Sequence, residues 1–120
     1  MGIFDSKEKR RVKQFFRFVS HGEIENPEWT LKDRIRNAAF EYFFSLGLDQ
    51  DNAEIYVGGV MLHGTDLKKA ADNVLLSHDL LEHHIKKTGG SPRFDENSRE
   101  HEERIEMIKA LFDSTFKNKY

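Results

Sequence analysis

The sequence predicts an all-α protein, a compact bundle of four or five helices. Three observations carry this. Apolar residues recur at three- and four-residue spacing in successive stretches, the mark of amphipathic helices. Only two prolines occur, Pro27 and Pro92, both in polar stretches between those patterns. The β-branched segment "AEIYVGGVMLH", residues 53–63, could be a strand, but it would have no pairing partner elsewhere in the chain.

The first helix is expected from about residue 6 to 20. Asp5 and Glu8 form a capping-box pattern at its start. Val12, Phe15, Phe16 and Val19 share one face, and Lys9, Arg10, Lys13 and Arg17 occupy the other. "HG" at 21–22 supplies a stop. The second helix, about 31–46, follows the Thr30/Asp33 signal and ends at Gly47. Leu31, Ile35, Ala38, Ala39, Tyr42 and Leu46 make its stripe, with Phe40, Phe43 and Phe44 assigned to the opposite side. A helix apolar on two sides is central in a bundle or shared with a partner.

Residues 51–63 are read as a third, buried helix after the cap "LDQDN". Gly58 and Gly59 each cost about 1 kcal/mol in a helix interior, tolerable where two backbones approach closely. The fourth helix, about 66–87, has Leu67, Ala71, Val74, Leu81 and Ile85 inward and Gly89–Gly90 as its stop. The fifth, about 98–117, carries Ile105, Ile108, Phe112 and Phe116. Asp95, Glu96 and Glu100 near its start and Lys117 and Lys119 near its end suit the helix dipole.

Composition narrows the function classes. The 120 residues fit one domain, 1–120, of which 38% are hydrophobic and 33% charged, against a membrane span or global disorder. Ten phenylalanines are the main core material. The net charge of −2 offers no global attraction for nucleic acid. The absence of cysteine excludes disulfides, thiolate metal sites and cysteine nucleophiles. No secretory signal is recognisable, and the expected location is the cytoplasm. "MGIFDS" fits the loose myristoylation pattern of Gly2 with Ser6, and a basic run follows it.

The densest cluster of reactive side chains is "LLSHDLLEHHIKK", residues 75–87. A helix turns about 100° per residue, so His78 and His83 point about 140° apart and His83 and His84 about 100° apart. One ion cannot collect all three. His78 falls on the apolar stripe and is expected inward, as a hydrogen-bonded core or boundary histidine, with His83 outward. Two i,i+4 pairs, Asp79–His83 and His78–Glu82, could each give two metal ligands. His21, His63 or His101 would have to complete the set. Such pairs more commonly form surface contacts, so no cofactor or metal is expected. No P-loop, GxGxxG, GxSxG or HExxH pattern occurs, and Asp49 and Asp51 lack the offsets of a calcium loop. A non-catalytic role is expected.

"KEKRRVKQFFRF", residues 7–18, holds six bases and one acid, leaving the rest of the chain acidic. Basic groups backed by aromatics suit an acidic protein partner, a phosphate backbone or an anionic membrane, and otherwise form a solvated face. "IRNAAFEYFFSLG", residues 35–47, resembles the first helix of tetracycline-repressor-type regulators through Ile35, Ala38, Ala39, Phe43 and Gly47. That resemblance implies helix-turn-helix DNA binding, dimerisation and ligand response. It spans thirteen residues, and the segment after it departs from the family's recognition-helix pattern.

These readings converge on a small interaction or regulatory protein of inhibitor, immunity or adaptor type. Its expected contact surfaces are the Lys9/Arg10/Lys13/Arg17 face and a Phe40/Phe43/Phe44 patch, the latter also a candidate homodimer surface. The expected partner is a protein with an acidic surface. A nucleic-acid-binding regulator and a metal-binding helical protein using His78, Asp79, Glu82, His83 and His101 are the alternatives, and a membrane partner is not expected.

Overall fold

Three helix starts, at Leu31, Gln50 and Leu67, are set by a short polar side chain that answers otherwise unpaired N–H groups. In the computed structural model, which describes residues 7–63, 66–86 and 99–116, Thr30 Oγ1 accepts from Asp33 N at 3.2 Å. Asp49 Oδ1 accepts from Asn52 N at 2.9 Å. Asp66 Oδ1 accepts from Lys68 N and Lys69 N at 2.9 and 3.1 Å. The elements are α1 (Lys7–Glu25), α2 (Leu31–Ser45), α3 (Gln50–Val60) with a 3-10 turn (Met61–His63), α4 (Leu67–Lys86) and α5 (Arg99–Thr115). The protein is an all-α bundle, and no strand occurs among the described residues.

α1 packs against α2, α4 and α5, and α3 closes the α2–α4 side. Val12, Phe15, Phe16 and Val19 of α1 are buried with Ile35, Ala38, Ala39 and Tyr42 of α2 and Val57 and Val60 of α3. Leu67, Ala71, Val74, Leu75 and Leu81 of α4 and Ile108 and Leu111 of α5 complete the core with Phe116. Phe16 meets the Phe112 and Phe116 rings edge-on, at centroid distances of 6.2 and 5.2 Å. The Arg104 Nε–H donates to Asp72 Oδ1 at 2.5 Å and ties α5 to α4. α4 touches every other helix, and α2 packs between α1 and α3.

Two boundaries differ from expectation. α1 does not stop at His21–Gly22 but runs to Glu25. Gly22 is buried where a Cβ would lie 3.6 Å from Asn37 and 3.8 Å from Trp29, so packing on α2 offsets its low helix propensity. α3 tightens into a 3-10 turn over its last three expected residues. Gly59 sits on α4, where a Cβ would come within 3.0 Å of Ser77 Oγ, whereas Gly58 faces open space. Gly47, as expected, ends α2, with φ +94°.

Candidate functional site

The six cations of α1, Lys7, Lys9, Arg10, Arg11, Lys13 and Arg17, do not share an environment. Arg11 precedes Phe15 by four residues and Val19 by eight, so it borders the buried stripe. Its side chain is only 12% exposed and crosses to α4. There Nη1–H donates to Asp79 Oδ1 at 3.0 Å and Nη2–H to Glu82 Oε1 at 2.5 Å. Lys7 adds a longer pairing to Glu82, 3.7 Å. Asp79 and Glu82 are three residues apart on one side of α4, which lets a single guanidinium fork span both.

Beside this pair, α2 supplies Tyr42. Its O–H lies 2.6 Å from His78 Nδ1, and the other ring nitrogen of His78 faces Glu82 Oε1 at 4.0 Å. Burial raises the Tyr42 pKa above its usual value, which keeps the phenol protonated and makes it the donor. Burial, aided by the Arg11 charge, pulls His78 down to about 4. At neutral pH the imidazole is therefore uncharged, accepting at Nδ1 and carrying its proton on Nε2. The Arg11 hydrogen bond holds Glu82 down to about 2. Asp79 moves the other way: burial raises it, and Arg11 only partly offsets that. Arg11 thus stabilises Glu82 more fully than Asp79, consistent with the shorter contact.

An open concavity of about 490 Å³ lies over this network, lined by Lys7, Arg10, Arg11 and Gln14 of α1, Tyr42 and Ser45 of α2, Leu46, and His78 of α4. Arg10, Lys13 and Arg17 are exposed and Lys9 half-buried. Arg17, outside the groove lining, donates to Gln14 Oε1 at 3.5 Å, and Gln14 lines the groove with Lys7, Arg10 and Arg11 of α1.

The remaining expected site residues divide. Phe43 is wrongly assigned to the outer patch: it is 0% exposed, stacks on Tyr56 at 5.6 Å, and belongs to the core. Its spacing of four from Ala39 and eight from Ile35 carried that signal. Phe40 is half-buried against the core, and Phe44, 37% exposed, packs beside it at 5.7 Å. The three rings therefore form no single patch.

His78 points inward, as its stripe position required. His83 is half-buried rather than fully outward, its ring 6.2 Å from that of His84. His84 instead pairs with α3, its Nδ1 2.9 Å from the Tyr56 hydroxyl. The cluster thus splits between two tyrosines on two helices. His21 pairs with Glu25 at 3.1 Å on the surface of α1. Among the described residues, no group of three or more His, Asp or Glu side chains comes together to hold a metal ion. Gly2, Ser6 and the side chains of His63, Ile85 and His101 lie outside the described residues, as do the helix-flanking charges Asp95, Glu96, Lys117 and Lys119.

Sequence reasoning did not single out Arg11, Tyr42 as a hydrogen-bond donor, or the Tyr56–His84 pair. A cation four residues before an inward Phe15 was the available signal for Arg11. Ile35, Ala38, Ala39 and Phe43, which carry the tetracycline-repressor-like pattern, are all fully buried, so core packing accounts for them. No family model, curated protein or solved structure matches this chain.

Proposed function

We propose that this chain is a small interaction module of regulatory type whose basic α1 face and adjoining groove receive an acidic segment of a protein partner. The observation that supports this most is the sorting of cations along α1. Arg11 is turned inward and neutralised by Asp79 and Glu82, whereas Arg10, Lys13 and Arg17 stay on the solvent side. Neither Lys9 nor Lys13 makes an ion pair with a described residue. The groove beside them combines cations with Ser45 and the apolar edge of Leu46, so a bound segment meets both charge and apolar surface. Such a face steers encounter and selects partners more than it adds affinity, and salt screens it.

The test compares wild type with an Arg10→Gln/Lys13→Gln/Arg17→Gln variant on the partner recovered from the native source. The variant should keep its helical content and associate about tenfold more slowly at low ionic strength, with the difference shrinking as salt rises. An unchanged association rate at low salt overturns the proposal. If the recovered partner is nucleic acid, affinity for unrelated sequences should drop and the salt slope flatten by about one per lost phosphate contact. That outcome would assign the face to a phosphate backbone instead.

A further inference from the structure

Ala53, Tyr56, Val57 and Val60 turn one side of α3 into the core, and the solvent side carries large apolar side chains beyond the polar first turn of Asp51, Asn52 and Glu54. Ile55 is 66% exposed, and Leu62, in the 3-10 turn that continues the helix, is 75% exposed. Gly58 lies between them, exposed, and a Cβ built on it would meet nothing within 4 Å. Gly59 has a packing reason in Ser77, but Gly58 has none within the described chain, although glycine inside a helix is less favourable than alanine. An uncompensated glycine flanked on each side by exposed aliphatic side chains marks a surface suited to close approach by another backbone.

The two ends of this face carry opposite charge. Asp51 and Glu54 are exposed at its start. Lys69 is exposed at its far end, one turn before Asn73, whose amide donates to Val60 O at 3.2 Å. Asp66 is also there, but its carboxylate is occupied by the first N–H groups of α4. We infer that a second copy of this chain docks on this face, with the two α3 helices antiparallel and crossing at Gly58. About a twofold axis, Ile55 of each copy meets Leu62 of the other, and Asp51 and Glu54 approach the other copy's Lys69. A parallel pairing would set the acidic ends against each other. Each contact occurs twice, as a self-complementary interface requires. Three helical turns bury a small area, so the dimer is reversible and concentration-dependent. The inference is independent of the α1 reading, because it uses none of the same side chains.

Sedimentation velocity of the full chain over roughly 5–500 µM tests it. Wild type should show a reversible monomer–dimer equilibrium. Gly58→Gln should weaken dimerisation by about tenfold or more while leaving the thermal midpoint unchanged or higher, since its Cβ enters open space on a helix. Glu54→Lys and Lys69→Glu should each weaken the dimer, and the double reversal should restore it. Wild type that stays monomeric throughout would give the face to a different partner and overturn the inference. Dimerisation of Gly58→Gln equal to wild type, or a double reversal that fails to restore pairing, would overturn it as well.

Discussion

Arg11 shows how one side chain can be a scaffold element inside a face that looks uniformly solvated. Its guanidinium joins α1 to α4 through two carboxylates, of which Asp79 is 41% exposed. Arg11→Met would leave both carboxylates without their main cation. Water still reaches them, so the loss should be about 1–3 kcal/mol rather than the larger cost of breaking a fully buried pair. Urea unfolding at neutral pH measures it, and a change below about 0.5 kcal/mol would contradict the pairing. His78 makes a second prediction. Its folded pKa of about 4 lies below the ordinary 6.5, so above pH 6.5 neither state binds the proton and the group contributes nothing. Between pH 6.5 and 4 the unfolded chain takes the proton and the folded one does not, so stability falls with pH, by roughly 3 kcal/mol in full. Glu82 contributes above pH 4.5, and that contribution is lost between 4.5 and about 2, its folded value being the lower one. Asp79, raised by burial, works against both. His78→Gln should flatten the pH dependence of the unfolding free energy above pH 4.5, and an unaltered profile would remove His78 from the account.

At the scale of the element, the glycines sort by backbone and by space. Gly47 closes α2 at φ +94° with no atom within 4 Å of a built Cβ, so an alanine there suffers backbone strain alone. Gly47→Ala should cost about 1–2 kcal/mol. Gly58→Ala, also in open space but inside a helix, should stabilise the folded monomer by about 1 kcal/mol. Thermal melts of the two variants at low concentration should shift in opposite directions. Shifts of the same sign would mean that one of the two backbone assignments is mistaken. The α1–α2 connection follows the same logic in reverse, since Gly22 stays helical because Trp29 and Asn37 cover it.

On the scale of the whole molecule, the core and the charged surface answer to different substitutions. Phe16 is buried where α1 meets α5, against Phe112 and Phe116. Phe16→Ala should cost about 3–5 kcal/mol and loosen α5 together with α1, visible as lost helical signal in mild denaturant. Lys13→Gln/Arg17→Gln should change stability by under about 0.5 kcal/mol per site, since both side chains are exposed. A larger loss would make these cations part of the scaffold and weaken the case for a contact face. The bundle thus separates an aromatic interior from a basic ridge on one helix and an apolar face on another.

Periodicity predicted the all-α class, the order of the clearly amphipathic helices and most of the inward residues, because a 3.6-residue repeat projects directly onto one face of a cylinder; residues 53–63 are assigned to a helix only because a strand there would have no partner. The caps at Thr30 and Asp49 were equally legible, since their bonds are local. The same projection errs at the edges of a stripe. Phe43 and Arg11 sit where a small rotation of the helix decides between core and solvent, and only the packing of α2 on α3 and of α1 on α4 sets that rotation. The partition of the histidines belongs to the same class. His78 and His84 differ by six positions on one helix, and it took neighbouring helices to place Tyr42 against one and Tyr56 against the other. Contacts between residues 28 to 71 positions apart depend on how the helices are arranged in space, which no repeat along the chain encodes.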